Sequence, residues 1–456
     1  MESDFGLGNP KNMSNLNLHE KNKKGIELYN RAKQIIPGGT QLLSKRPEMF
    51  LPDQWPSYYE KAKGCYVWDL DGNKYLDFSY MGIGACILGY ADEDVNKAVK
   101  EAIDNGSMNT LNCPEEVELA EMLLKIHPWA GMVRYARAGG EAMAVAIRIA
   151  RAFSGKDKVS FCGYHGWSDW YLSANLADNK NLDGHLLPGL EPKGVPRGLA
   201  GTMFPFHYNK VEELEKIVAE NTDIGVIVME PMKFQEEKDN FAAKVRAIAE
   251  KIGAVLIFDE ITAGFRFNIG GSHLKLGVMP DMAVFAKGMS NGFPMAAVIG
   301  KKEIMQKAQE TFISSTYWTE RIGPASAIAT IKKMQKENVP EYLDKIGSEI
   351  KQGLTEAAKK HNLKLHIEGQ NALLHFSFDY PNTQAIRTLF TQEMLKRNVL
   401  AIGAVYISLA FEKKHIEEYL KAVDEVFPIL AAAIAENKVE QMLEGPVAHT
   451  GFQRLN

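Results

Sequence analysis

Cysteine is scarce. Four thiols (Cys65, Cys86, Cys113, Cys162) in 456 residues, none in a CxxC pair, exclude a disulfide framework and a paired-cysteine zinc ribbon. Long apolar runs are lacking as well. The longest charge-free stretches, residues 78–91 and 399–411, fall short of the ~20 apolar residues that a spanning helix needs, and the first is interrupted by glycines. The opening residues are polar and charged without an apolar h-region, so no secretory leader is expected. Neither charge dominates: 57 acids against 53 bases leave a net charge of -4, which speaks against a nucleic-acid partner and against an acidic disordered chain. There is no internal repeat and no low-complexity tract. With 45% hydrophobic residues over this length, the expectation is a folded cytoplasmic protein with a large core and no membrane partner.

Residues 1–20, rich in Asn, Lys and Gly, have little to bury and are expected to form a flexible arm. Residues 25–36 read as a short helix stopped by Pro37-Gly38-Gly39. Residues 64–78 are two alternating apolar runs joined by Asp71-Gly72-Asn73, a hairpin signal. The same string faintly resembles a calcium loop, but its glycine comes too early and no Glu stands at the twelfth position, so the turn is preferred. From 130 to 300, short apolar strands (132–136, 158–162, 224–229, 254–258, 282–286) alternate with helical patterns (141–153, 211–220, 241–252). Continuous apolar strands separated by helices imply an α/β fold with a mainly parallel sheet covered on both faces. Beyond 330, lysine-rich helices (339–361, 415–437) flank short strands (363–368, 372–378, 399–401), a smaller α+β domain. The expected division is therefore 21–78 joining the small domain, 79–330 as the large domain and 331–456 as the small one.

The common cofactor fingerprints are absent. Gly82-x-Gly84 is followed by glycine only at 89, and Gly155-Lys156-Asp157 lacks both the leading glycine and the Ser/Thr of a phosphate-gripping loop. Cys162 and His165 are two ligands without a second pair, a poor metal site; no metal is expected. Two charged residues do sit where a parallel sheet places functional groups: Asp259 closes one apolar strand and Lys287 closes another, so both belong in the crevice at the carboxyl ends of the strands. Lys287 could pair with Asp259 or Glu260 as a structural salt bridge, or its desolvated amine could be a nucleophile; spacing alone leaves the two even. Arg137-Ala138-Gly139-Gly140-Glu141 lies between a strand and a helix, where small residues expose successive N–H groups to an anion, although an ordinary strand-to-helix turn reads the same way. Gly163-Tyr164-His165-Gly166-Trp167 follows the next strand and offers a ring on which a planar group could stack, or merely an aromatic surface turn. A phosphate cradle, a stacking aromatic, an acid and an amine at neighbouring strand ends together describe a pyridoxal 5'-phosphate site.

These residues also carry a resemblance. Phe258-Asp259-Glu260-Ile261-Thr262-Ala263-Gly264-Phe265-Arg266, Lys287-Gly288 with Gly292-Phe293-Pro294-Met295-Ala296-Ala297, Val228-Met229-Glu230-Pro231, Gly163-Tyr164-His165-Gly166 and Ile36-Pro37-Gly38-Gly39 resemble class III aminotransferases, and among them the glutamate-1-semialdehyde 2,1-aminomutase branch. The resemblance implies the type I fold of PLP-dependent transferases, with a seven-stranded sheet, and a homodimer whose active sites lie at the subunit boundary. It also implies Lys287 as the Schiff-base lysine and Asp259 as the partner of the pyridine nitrogen. Tyr164 then stacks on the ring, Gly139 and Gly140 belong to the phosphate cradle, His165 and Glu230 to the cofactor site, and Thr316 is the phosphate ligand given by the other subunit.

The departures from that pattern fall at the phosphate turn, near the cofactor's phenolic oxygen and on the substrate side. Ala138-Gly139-Gly140 replaces Ser-Gly-Thr, and bulky, charged Tyr317-Trp318-Thr319-Glu320-Arg321-Ile322-Gly323-Pro324 follows Thr316 in place of small residues. Gln235 stands where an asparagine is expected, and Lys45 with Arg46 stands nearest the carboxylate-binding arginine. The expected activity is amino transfer from an amino-acid donor to a separate polar carbonyl acceptor unlike glutamate semialdehyde, such as an oxidised sugar or another hydroxylated carbonyl compound. The alternatives are an aminomutase acting within one skeleton and a catalytically idle binding protein, against which the retained Lys287 and Asp259 argue.

Overall fold

The structure, a computed structural model, describes residues 17–186, 188–232 and 236–451. Residues 1–16 of the expected arm lie outside them. From Leu18 the chain is already helical (Leu18–Lys21), with Leu18 fully buried against Leu51, Tyr75, Leu395 and Leu400. The loose arm therefore does not extend to residue 20: one leucine among polar neighbours anchors that turn. The helix Lys23–Ile35 follows and stops before Pro37.

Strands Tyr59–Lys63 (β1), Tyr66–Asp69 (β2) and Lys74–Phe78 (β3) form an antiparallel ribbon. Asp69 shapes its tight turn, its Oδ1 accepting the Asp71 and Asn73 N–H groups at 3.0 and 2.8 Å. The central sheet consists of Met132–Ala136 (β4), Lys158–Cys162 (β5), Met203–Pro205 (β6), Ile224–Met229 (β7), Val255–Asp259 (β8), Met282–Phe285 (β9) and Ala296–Gly300 (β10). Its order is β4-β10-β9-β8-β7-β5-β6, and β10 alone runs antiparallel to its neighbours. Every residue of β7 and β8 is buried. Val226, Val228 and Ile257 face a core with Ala142 and Ile147 of the helix Gly139–Ser154, while Ile227, Met229 and Phe258 face one with Phe241 and Val245 of the helix Phe241–Ile252. That two-sided burial is why these strands read as continuous apolar runs rather than as alternation.

Leu365–Glu368 (β11), Leu373–Phe378 (β12), Val399–Ala401 (β13) and Ala404–Tyr406 (β14) complete the strands. β11, β12 and β14 form a three-stranded sheet, while β13 pairs in parallel with β3. The long helices Val339–Lys360 and Lys413–Ala435 bury Leu343, Ile350, Tyr419 and Phe427 in the core shared with Phe378 of β12. Among the described residues no helix is long and apolar enough to cross a membrane.

Candidate active site

A cavity of about 410 Å³ opens at the carboxyl ends of β5, β7, β8 and β9. Seven of the residues singled out in the sequence line it: Gly139, Gly140, Tyr164, His165, Glu230, Asp259 and Lys287. Thr316 does not. It is exposed, in the helical turn Thr316–Thr319 outside the cavity.

Asp259, the last residue of β8, is 3% exposed. Its Oδ2 lies 2.8 Å from His165 Nδ1 and its Oδ1 accepts the Ile261 N–H at 3.0 Å. A carboxylate accepts only, so the proton of that first bond belongs to Nδ1. The other ring nitrogen lies 3.2 Å from the Cys162 carbonyl, and the ring is buried. His165 thus lines the wall and orients the acid. The neighbouring Glu260 serves the interior instead: fully buried, it accepts from the backbone N–H groups of Ser272 and His273, from Ser272 Oγ and from His273 Nδ1. Trp129 Nε1–H in turn donates to His273 Nε2 at 3.1 Å.

Lys287 opens the turn Lys287–Ser290 with φ +46°, a left-handed conformation that costs a non-glycine residue ~1 kcal/mol or more. Its Nζ donates to Thr262 Oγ1 at 2.9 Å. Sequence reasoning quoted Thr262 within a motif without selecting it, although a hydroxyl three residues past the strand-end acid was the available signal.

The helix Gly139–Ser154 begins without a capping side chain, since Ala138 has no oxygen to offer. Its first backbone bond joins the Ala142 N–H to the Ala138 carbonyl. Glu141 folds back to accept the Arg137 and Ala138 N–H groups at 3.2 and 3.1 Å. The Gly139 and Gly140 N–H groups therefore lie at the positive end of the helix dipole without intrahelical acceptors. A side chain on Gly140 would come within 3.2 Å of the Trp167 indole nitrogen, and one on Gly166 within 3.1 Å of Gly140 Cα. The glycines thus let two backbone turns close on each other around the cavity floor. This donor set fits a group carrying a phosphate, a basic ring nitrogen and an aldehyde: backbone N–H groups for the first, Asp259 for the second, the Lys287 amine for the third.

The Tyr164 turn is held from three sides. Glu230 Oε2 accepts the Tyr164 N–H at 3.1 Å, Tyr171 Oη donates to the Gly163 carbonyl at 2.9 Å, and His185 Nδ1 accepts the Gly163 N–H at 3.2 Å. Burial, with Asp259 and Glu230 nearby, raises the Tyr164 hydroxyl above its ordinary value and keeps it neutral. Burial also lowers His185 to about 4.

The sequence did not reveal the remaining wall. Arg137 lines the cavity, and its guanidinium meets the Glu320 carboxylate at 2.7 Å. Lys45 is exposed, and Arg46 packs against the Gly38 turn; neither lines the cavity. Gln235 falls outside the described residues.

Comparison with known proteins adds four findings. The model of the aminotransferase class-III family matches residues 52–427. The 3-aminobutyryl-CoA aminotransferase of Cloacimonas acidaminovorans is 30% identical over 388 residues, covering 82% of this chain and 89% of that protein. In fold, the chain is similar to the PLP-bound FumI protein of Sphingopyxis sp. MTA144 (TM-score 0.82, 24% identity, 92% of this chain and 100% of that one). It is also similar to a glutamate-1-semialdehyde aminomutase of Pseudomonas aeruginosa (TM-score 0.77, 19% identity, 91% and 96%).

Proposed function

The chain belongs to the class III aminotransferase family, whose cofactor is pyridoxal 5'-phosphate, and we propose that it moves an amino group between two separate molecules. When bound, the cofactor supplies an electron sink for the pair left on the amine-bearing carbon. The chain's own residues do the rest. The Lys287 amine, beside Thr262 at the cavity floor, would take the proton from that carbon of the donor and hand it to the cofactor's carbonyl carbon, then move a proton the opposite way onto the acceptor's carbon in the second half of the reaction. Asp259, oriented by His165, would keep the ring nitrogen protonated. The Gly139 and Gly140 N–H groups would hold the phosphate, Tyr164 would offer its ring to the cofactor's, and Glu230 fixes the Tyr164 turn.

One observation carries the choice between transamination and isomerisation. Among the described residues lining the cavity the arginine is Arg137, and Glu320 already neutralises it. A mutase that holds one amino acid through two half-reactions needs a firm carboxylate anchor, which a paired guanidinium supplies poorly. An acceptor without a carboxylate beside its carbonyl, such as an oxidised sugar, suits this wall better. The relative named for 3-aminobutyryl-CoA favours a second acceptor of the same kind, a 3-oxo acid whose carboxyl is masked as a thioester.

The functional unit we propose is a homodimer in which Thr316 reaches the partner's cofactor phosphate. Exposed Leu111, Trp167, Phe312 and Tyr317, each more than 70% accessible, support a covered face in this part of the molecule. Among the described residues no disulfide joins the four cysteines, which suits a reducing, cytoplasmic setting.

The test uses nitrogen-15 glutamate with a panel of keto-sugars and 3-oxoacyl thioesters. Label appearing in a separate acceptor is expected. Efficient conversion of glutamate-1-semialdehyde to 5-aminolevulinate without a second substrate would overturn the reading.

A further inference from the structure

Two segments that set this chain apart, residues 137–141 in the cavity wall and residues 316–323 outside it, are fastened to each other. Glu320 Oε1 accepts from Arg137 Nε at 2.7 Å and from the Gly323 N–H at 2.8 Å, while Oε2 accepts the Ile322 N–H at 2.6 Å. Arg137 also donates through Nη2 to the Glu320 carbonyl at 2.8 Å and through Nη1 to the Ala136 carbonyl at 3.1 Å. A second tie lies beside the first. Trp318 Nε1–H donates at 3.3 Å to Glu141 Oε2, the oxygen that already accepts from Arg137 N and Ala138 N. With side chains only 10% and 17% exposed, Arg137 and Glu320 form a pair shielded from solvent, unlike most surface ion pairs.

We infer that Arg137 and Glu320 form a latch, assisted by Trp318 and Glu141, that positions the phosphate cradle. The cradle needs one. Ala138, Gly139 and Gly140 offer an anion only backbone N–H groups, and two successive glycines without a capping side chain leave the first helical turn free to fray. Arg137 immediately precedes that turn, so fixing its side chain and its N–H fixes the direction in which the following N–H groups point. The same pair argues against Arg137 as a substrate ligand. An incoming anion would have to displace Glu320, which would strip two N–H groups at the start of the helix Ile322–Lys336 of their acceptor. Arg137 and Glu320 are therefore positioning residues, acting through the Gly139–Gly140 backbone.

The inference rests on the reading that this turn holds the cofactor phosphate, and the experiment separates the two. Cofactor is removed from the holoenzyme, and the dissociation constants of pyridoxal 5'-phosphate and of pyridoxal, which lacks the phosphate, are measured by quenching of protein fluorescence. The pyridoxal constant divided by the pyridoxal 5'-phosphate constant isolates the phosphate's share of binding, and general destabilisation does not move this ratio. Glu320→Gln is expected to reduce the ratio about tenfold, the loss of one shielded charge-assisted bond. Trp318→Phe is expected to reduce it in the same direction, and both variants to move the phosphorus-31 resonance of the bound cofactor. Glu118→Gln, which breaks the exposed pair with Lys332, serves as the control and should leave the ratio at the wild-type value. A wild-type enzyme that binds both compounds equally would overturn the cradle reading itself. A wild-type enzyme that discriminates, with an unaltered ratio in Glu320→Gln, would overturn the latch alone. Should Glu320→Gln fail to fold, Trp318→Phe decides, because it removes one donor and leaves the ring to pack.

Discussion

His185 makes the Tyr164 turn sensitive to acid. Its Nδ1 accepts the Gly163 N–H, its Nε2 is buried without a hydrogen-bond partner, and its ring stacks on His207 at 5.1 Å. Burial first, then the neighbouring His207 and His165, lowers its pKa from 6.5 to about 4. As the pH falls, the unfolded chain therefore takes up this proton before the folded one does. The neutral ring contributes stability that is fully present above pH 6.5, erodes below it, and is lost as the pH falls through about 4. Linkage over that interval gives at most about 2 kcal/mol lost between pH 7.5 and pH 5. Protonation also removes the acceptor of the Gly163 N–H, so the same titration loosens the turn that carries Tyr164. His185→Asn replaces Nδ1 with an amide oxygen that accepts without titrating. Urea unfolding of both proteins at pH 7.5 and pH 5.0 checks the reasoning: the wild type should lose about 2 kcal/mol more than the variant over that interval. Equal losses in the two would refute it.

Three further outcomes follow from the geometry. Lys287→Ala should fold, keep cofactor bound without a covalent link and show no turnover; borohydride capture of the cofactor on any lysine but Lys287 in the wild type would contradict this. His165→Phe keeps a ring in the wall but strips Asp259 of a buried bond worth ~1–3 kcal/mol, so single-turnover amine transfer should slow by ~10- to 100-fold, and an unchanged rate would show that Asp259 needs no such support. Gly166→Ala forces a side chain into φ +102° and within 3.1 Å of Gly140 Cα, so it should cost ~2–3 kcal/mol and weaken cofactor binding. Gly155→Ala, at φ +65° with nothing within 4 Å, should cost only ~1 kcal/mol and leave binding alone; equal effects in thermal melts and cofactor titrations would remove the close approach as the cause.

Elements that bury their own sequence pattern were legible. The strands Lys158–Cys162 and Ile224–Met229 and the helices Val211–Glu220 and Phe241–Ile252 have the bounds expected from the sequence, because apolar periodicity begins and ends with them. Ala296–Gly300 was not recognised as a strand. Its small residues carry little β preference, and it is a strand because β4 and β9 flank it. The helix Ile322–Lys336 opens on Gly323-Pro324, which reads locally as a turn; Glu320 supplies the acceptors that let it start there. In the site, Asp259 and Lys287 stood out because a charge directly after an all-apolar strand has few other uses. Arg137 did not, since its partner lies 183 positions away and only the folded chain brings the two together.

Where the chain is free to change follows from how its acids are held. Asp259 is oriented by His165 and Ile261, and Glu260 beside it is locked by Ser272 and His273. Every hydrogen bond in that set but the partly buried one from Ile261 is fully buried, so altering one member leaves a desolvated partner unpaired and costs more than an exchange at the surface. Selection for a new substrate would meet that penalty at the cavity floor and avoid most of it in the turn Thr316–Thr319, where Tyr317 and Thr319 are exposed beside the Glu320 that grips Arg137 of the wall. That turn is not wholly free, however. Trp318 and Glu320 reach back to Glu141 and Arg137, so a substitution there also acts on the Gly139–Gly140 turn proposed to hold the cofactor phosphate. Changes of specificity should therefore concentrate at Tyr317 and Thr319 and spare their two neighbours. A library randomised over residues 317–320 and selected for a new amine acceptor should return variants at the first and third positions while keeping Trp318 and Glu320. Frequent loss of Glu320 with cofactor affinity intact would show that the 316–320 turn and the cavity floor are independent.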